Sequence, residues 1–288
     1  MTARHKSFAR PSGGVYADLH LHSNQSDGTD SPTKVVSRAV AAGLKALALT
    51  DHDTTAGNEE AAKAAAGEGI TFIPGVEISA EFDRIEVHIL GLGISHESEE
   101  FEVRLAEIRD DRITRVELMI QKLQDLDIDI TPDDAAAEIG ETSSPGRLHV
   151  ARALYRIGVT NSIQEAFTRF IGMGRPAYVP KKRIPAEEAI ALIHGGGGLA
   201  SIAHPGIGGV HKKLPPLLAL PFDAVEVWHA EHGPGQSAEY AILVRENGLI
   251  ATGGSDDHGS KTERKNIGRT GLNETDFKSF IQRLKDSE

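Results

Sequence analysis

Apolar and polar positions follow two different rhythms along this chain. Residues 15–20 form a short apolar run ending in His-Leu-His, and residues 46–50 (ALALT) form a second, ending in Asp51-His52-Asp53. Residues 71–77 and 87–91 read the same way, as buried strands. Ser31-Pro32 supplies an N-cap and a proline suited to the first helical turn, so the pattern predicts a helix over residues 33–42, closed by Gly43. A second helix is expected over residues 57–66. Strands separated by short helices imply βα units and a parallel sheet.

From residue 97 the rhythm changes. Phe101, Leu105, Ile108, Val116, Met119, Leu123 and Leu126 recur at helical spacings with charges between them, predicting an amphipathic helix of about seven turns. Thr131-Pro132 opens another helix, and residues 147–157 and 162–171 give two more. Residues 97–178 are therefore expected to form a helical insertion, a cap over the substrate. Strand runs return at 199–203, 224–227 and 249–252, with helices near 186–194, 236–246 and 274–285. The expected organisation is a flexible leader (1–14), a barrel (15–96 and 179–288) and the insertion.

Function enters through position. His20 and His22, His52, Glu77, His204, and Asp256 and His258 all fall at or just after the C-terminal end of a predicted strand. In a parallel barrel those ends converge on one rim, where active sites assemble. Singly, each has a bland reading: Asp27 as a turn residue before Gly28, His52 bonding a strand-end carbonyl, His88 as a core histidine. Glu77 is harder to dismiss, because a carboxylate ending an apolar strand needs a partner. Together, six histidines and three carboxylates along the strands exceed what chance packing provides. N and O donors without sulfur suit Zn, Mn or Fe.

Composition narrows the rest. The 288 residues allow one large domain with an insertion, and the absence of Cys excludes disulfides and thiolate ligands. No apolar run approaches the roughly 18 residues of a membrane span, and no secretory signal is read, so the cytoplasm is the default compartment. The net charge of −11 argues against duplex nucleic acid as a partner. A phosphorylated substrate would then rely on bound cations for attraction.

The ordered run DLHLHSNQSDG, TDHD, PGVE, VHILG, AHPG and GGSDDHG resembles the PHP (polymerase and histidinol phosphatase) superfamily over roughly residues 15–95 and 180–270. It is most similar to the stand-alone phosphoesterases with a helical insertion, among them nucleoside 3′,5′-bisphosphate phosphatases and 5′-to-3′ exoribonucleases. The resemblance implies an α/β fold, a distorted (β/α)7 TIM-like barrel, with two or three divalent cations. His20, His22, Glu77 and Asp256 would hold the first, and Asp27, His52 and His258 the second. Glu77 would bridge to a third held with His88 and His204. Some relatives carry His where this chain has Asp27, and the extra carboxylate favours Mn or Fe over Zn. Paired cations acidify a shared water towards a pKa of roughly 7 and neutralise phosphate oxygens, so no protein nucleophile is required. Asp256, His258 and His204 are the expected catalytic groups.

Anionic substrates need further donors. Ser144–His149 resembles the branch's GRPH segment, with Leu148 in place of Pro, and residues 174–181 resemble the segment that returns to the barrel. Arg147, Arg175 and Lys181 are therefore expected to bind a second phosphate or the nucleotide, with His232 in the pocket. The expected substrate is a nucleotide or a short single-stranded RNA. Rival readings are histidinol-phosphate hydrolysis, amide or deamination chemistry, and a non-catalytic metal-binding module. Residues 195–198 lack the Lys-Ser/Thr of a phosphate loop and are expected to close a helix. Trp228 reads as packing; His5, His96, His194 and His211 read as solvated, and His229 is left open.

Overall fold

The structure, a computed structural model, describes residues 11–95, 99–139, 142 and 144–287. Residues 1–10 of the expected leader, with His5, and also His96, lie outside the described residues. The elements are β1 (Ala17–Asp18), α1 (Pro32–Ala41), β2 (Ala46–Leu49), α2 (Asn58–Glu68), β3 (Thr71–Phe82) and β4 (Ile85–Leu92). The long α3 (Glu99–Gln124) follows, then α4 (Pro132–Ile139), α5 (Arg147–Arg156), α6 (Ile163–Ala166), and a π-helical turn at Phe167–Ile171. After β5 (Ile184–Pro185) come α7 (Ala186–Gly195), β6 (Leu199–Ile202), α8 (Leu214–Leu217) and β7 (Ala224–His229). The last elements are α9 (Pro234–Glu246), β8 (Ile250–Gly254) and α10 (Glu274–Ser287).

Local chemistry accounts for the boundaries. The Ser31 hydroxyl accepts the Lys34 N–H at 3.3 Å and caps α1, Pro32 sits in its first turn, and Gly43 takes the left-handed φ of 83° that follows its end. Helix α7 ends in the glycine run, as the composition of residues 195–198 suggested.

Strands run in the order β1-β2-β3-β4-β6-β7-β8, with β5 pairing β3 beside that path. Pairings are parallel except around β4, which is antiparallel to both β3 and β6. The expectation of a parallel sheet throughout is corrected here. The cause is a two-residue hairpin at Asp83-Arg84, where both residues adopt left-handed backbone (φ 47° and 65°), the requirement of a type I′ turn. Arg84 occupies the position where Gly usually stands, so Asp83 alone signals the turn in the sequence. Strand β3 therefore runs to Phe82, past Glu77, and Glu77 and His88 lie inside strands instead of at their ends. The reversal still delivers His88 to the working rim, since it pairs with Ser79 near the far end of β3.

The sheet closes on itself. The Leu19 N–H donates to Gly253 O (3.1 Å), the Asp256 N–H to His20 O (3.0 Å), and the His22 N–H to Asp257 O (2.9 Å), joining the chain after β1 to the end of β8. Two apolar clusters meet along α3. Its Phe101, Leu105 and Ile108 pack on barrel residues such as Ile78, Ile89 and Ile193. Its Val116, Met119, Ile120 and Leu123 pack with Val150, Leu154 and Ala166 of α5 and α6. Each such side chain, fully buried, contributes about 1.5–3 kcal/mol, so α3 is fastened at both ends. Among the described residues, no helix is long and apolar enough to cross a membrane.

Candidate metal centre

Glu77 organises the pocket. Buried on β3, it sends its two carboxylate oxygens to different sets of imidazoles. Oε1 lies 2.7 Å from His88 Nδ1 and 3.0 Å from His204 Nε2. Oε2 lies 3.3 Å from His20 Nε2, 3.2 Å from His22 Nε2 and 3.2 Å from His52 Nδ1. Asp256 Oδ1 approaches His22 Nε2 (3.2 Å) and His20 Nε2 (3.5 Å) from the opposite side. Asp27 Oδ1 lies 3.3 Å from His258 Nε2 and 3.9 Å from His22 Nδ1. All nine ligand candidates thus come together, with His20, His52 and Glu77 shared between neighbouring groups.

Hydrogen-bond roles test whether cations fit. His258 Nδ1 lies 2.9 Å from the Asp256 carbonyl, which can only accept, so Nδ1 carries the proton. In the neutral ring Nε2 is then an acceptor, and it faces the acceptor Oδ1 of Asp27. His20 repeats the arrangement: Nδ1 donates to Glu226 Oε1 at 3.1 Å, leaving Nε2 towards Glu77 and Asp256. Lone pairs facing lone pairs call for a cation between them. Buried atoms lacking an aligned hydrogen bond concentrate here: both nitrogens of His22, His20 Nε2, His52 Nδ1, His204 Nδ1, Asp27 Oδ1 and Glu77 Oε2. Open, oxygen- and imidazole-rich clusters of this kind suit catalytic divalent metals.

Electrostatics agree. Burial alone would raise the Glu77 carboxyl, but His52, His88 and His20 hold it well below the usual carboxylate range. Asp27 is likewise lowered against burial, by His258 and His52. His52 is pushed down to about 3 by burial, a neutral imidazole ready to ligate. His22, in contrast, is raised to about 10 against its burial by the Asp256 and Glu77 carboxylates. The pocket demands positive charge.

Backbone strain marks the same rim. His204 (φ 28°) and Asp256 (φ 51°) adopt left-handed conformations that non-glycine residues avoid at a cost of roughly 1–3 kcal/mol each. Gly254 is required where it stands, because a β-carbon there would collide with that of His20.

A profile of the PHP domain family matches residues 18–142. The chain is 37% identical over 258 residues to a 3′,5′-nucleoside bisphosphate phosphatase of Chromobacterium violaceum, covering 88% of this chain and 90% of that one. It belongs to the PHP family. A second relative, the 5′-3′ exoribonuclease Rnm of Escherichia coli K12, is 34% identical over 85% of both chains. Among solved structures, a candidate metal-dependent phosphoesterase of Bifidobacterium adolescentis superposes with a TM-score of 0.86 at 31% identity, covering 96% of this chain and 98% of that one. This PHP protein is a metal-dependent phosphoesterase with a barrel fold, as its sequence suggested.

The residues expected to meet substrate are scattered around this PHP centre. Lys181 Nζ lies 3.4 Å from Asp53 Oδ2, beside His52, and burial and the charge of Arg112 lower it to about 8, partly opposed by Asp53. Half-buried Arg147 begins α5, its guanidinium 5.8 Å from the centre of the Phe167 ring. Arg175 is exposed. His232 is buried with both ring nitrogens engaged: Nδ1 donates to Val227 O (3.1 Å) and Nε2 accepts the Gly206 N–H (3.1 Å). His194 is exposed but pairs with Asp223 at 2.8 Å, and His211 lies 3.3 Å from the Tyr240 hydroxyl. Trp228 packs against the core.

Sequence reasoning missed several groups. Glu226 is fully buried on β7, accepting from His20 and from the His204 backbone N–H at 2.7 Å. Its signal was present: a lone acid inside the apolar run AVEVW, which needs a buried partner. His229, which the sequence leaves open, is fully buried. Its Nδ1 accepts the Glu231 N–H at 3.1 Å, so Nε2 carries the proton and points at Asp256 Oδ2, 3.6 Å away. Asp53 joins Arg112 (2.6 Å to Nε) to Lys181 and accepts the Ser79 N–H at 2.8 Å, a constellation spread over distant segments.

Proposed function

We propose that this enzyme removes a phosphate from a nucleotide-like substrate, a nucleoside 3′,5′-bisphosphate or the 5′ end of a short single-stranded RNA. The observation that carries the reading is the division of Glu77 between two sets of imidazoles, a geometry suited to a shared bridging ligand for up to three divalent cations. In this reading His20, His22, Glu77 and Asp256 hold one cation. Asp27, His52 and His258 hold another, with Glu77, His88 and His204 as the third set. Mn or Fe suits the carboxylate-rich set better than Zn. When bound, such ions acidify water and neutralise a phosphate's oxygens.

The chain's own groups do the rest. Asp256, His258 and His204 border the reacting phosphate. Residues 97–178 act as a cap, and Arg147, Arg175 and Lys181 receive the second phosphate or the nucleotide. His232, with both nitrogens committed, holds the loop at Gly206 in place instead of touching substrate. The names of the two relatives, each covering at least 85% of its partner chain, support the nucleotide class over histidinol phosphate.

The test compares phosphate release by Mn-loaded protein from adenosine 3′,5′-bisphosphate, histidinol phosphate and a simple monophosphate, with Asp256→Asn and a chelated sample as blanks. Preferential, metal-dependent release from the bisphosphate is expected. Release from histidinol phosphate alone would overturn the nucleotide assignment.

A further inference from the structure

Asp256 uses its two oxygens differently. Oδ1 faces His20 and His22, where a cation would sit, while Oδ2 faces the Arg264 guanidinium, with Nη1 donating at 3.0 Å, and the buried His229 Nε2 at 3.6 Å. Arg264 belongs to no motif quoted above. It stands in the loop between β8 and α10, and its carbonyl accepts the His258 N–H at 3.0 Å. Its backbone is thus tied to the residue beside the pocket, whereas its side chain is 55% exposed. Among the described residues, its guanidinium makes this single hydrogen bond, leaving most of a planar five-donor fork unused. The charges on the cap side are differently committed: Arg112 and Lys181 share Asp53. Arg264 therefore supplies a cation on the Asp256 side of the pocket, its guanidinium held through a carboxylate whose charge a metal would share.

We propose that Arg264 is a phosphate-binding residue of this centre, exchanging its bond to Asp256 for an oxygen of the phosphate being hydrolysed. The proposal rests on Asp256 being a metal ligand. A bound cation weakens the pull of Asp256 on the guanidinium, and a dianionic phosphate at the pocket offers the fork a better partner. Arg264 then opposes metal uptake slightly and assists phosphate binding, two effects of opposite sign. A residue that only braces the loop would move both in the same direction.

The experiment is calorimetry on the full chain in phosphate-free buffer, titrating Mn2+ into metal-stripped protein and then inorganic phosphate into the Mn-loaded form. Arg264→Gln should bind Mn2+ roughly two- to fivefold more tightly, the scale of an exposed ion pair. It should bind phosphate about tenfold more weakly, the scale of a charge-assisted hydrogen bond. Arg264→Lys should fall between Gln and the wild type for phosphate. Unchanged phosphate affinity, or parallel weakening of metal and phosphate, would overturn the proposal. Asp256→Asn separates the premise: if it takes up Mn2+ as tightly as the wild type, Asp256 is no ligand and the proposal falls with it.

Discussion

Asp53 and Lys181 meet at 3.4 Å across 128 positions of chain, and the same Asp53 oxygen also receives Arg112 from α3. One buried carboxylate beside His52 therefore binds the long insertion helix and the segment returning from the insertion. Its own backbone is left-handed (φ 54°), a conformation aspartate tolerates better than most residues.

Asp53→Asn should be severely destabilising. It leaves Arg112 and Lys181 buried without their counter-charge, and breaking a buried pair in this way costs about 3–5 kcal/mol. Urea unfolding measures it. A loss below about 1 kcal/mol would show that water or another acid already compensates these cations.

Lys181 fixes a pH dependence. Its pKa is lowered to about 8, so it is cationic below that pH and neutral above it. If it receives a substrate phosphate, KM should be flat below pH 8 and rise above it. Lys181→Arg, whose guanidinium stays charged, should flatten the alkaline limb. An unchanged limb in the variant would remove Lys181 from the substrate contacts.

Glu226→Gln tests support from behind the pocket. The carboxylate orients His20 through Nδ1 and secures the His204 backbone. Replacing such an outer partner typically weakens metal affinity about 10–100-fold. Mn2+ titration should find that loss while the far-UV circular dichroism stays native; undiminished affinity would make Glu226 purely structural.

Arg147→Ala should raise KM for a nucleoside bisphosphate much more than for a monophosphate, because it removes a contact to the second charge. Equal effects on both substrates would return Arg147 to its role beside Phe167.

Sequence and structure agree where chemistry is local. The Ser31 cap, the glycine after α1 and the seven-turn α3 follow from neighbouring residues, and the histidine motifs marked the rim. The reversal of β4 escaped because its turn places Arg84 where a Gly usually stands, leaving Asp83 as its single turn signal, although both backbones adopt the rare hand. Glu226 and Asp53 escaped for another reason, which also leaves His229 open in the sequence. Their meaning lies in partners as distant as His20, 206 positions away from Glu226, and spacing along one chain does not display such pairs.

The seam between the first and last strands has a consequence for biosynthesis. His20 and Asp256 stand on either side of it, and the backbone bond between them closes the ring. A growing chain displays His20, His22, Asp27 and His52 long before Asp256 and His258 have been made. The two sides of this seam therefore meet only late in synthesis, once residues 253–257 have been made, and the rim that gathers His20 with Asp256 is assembled last.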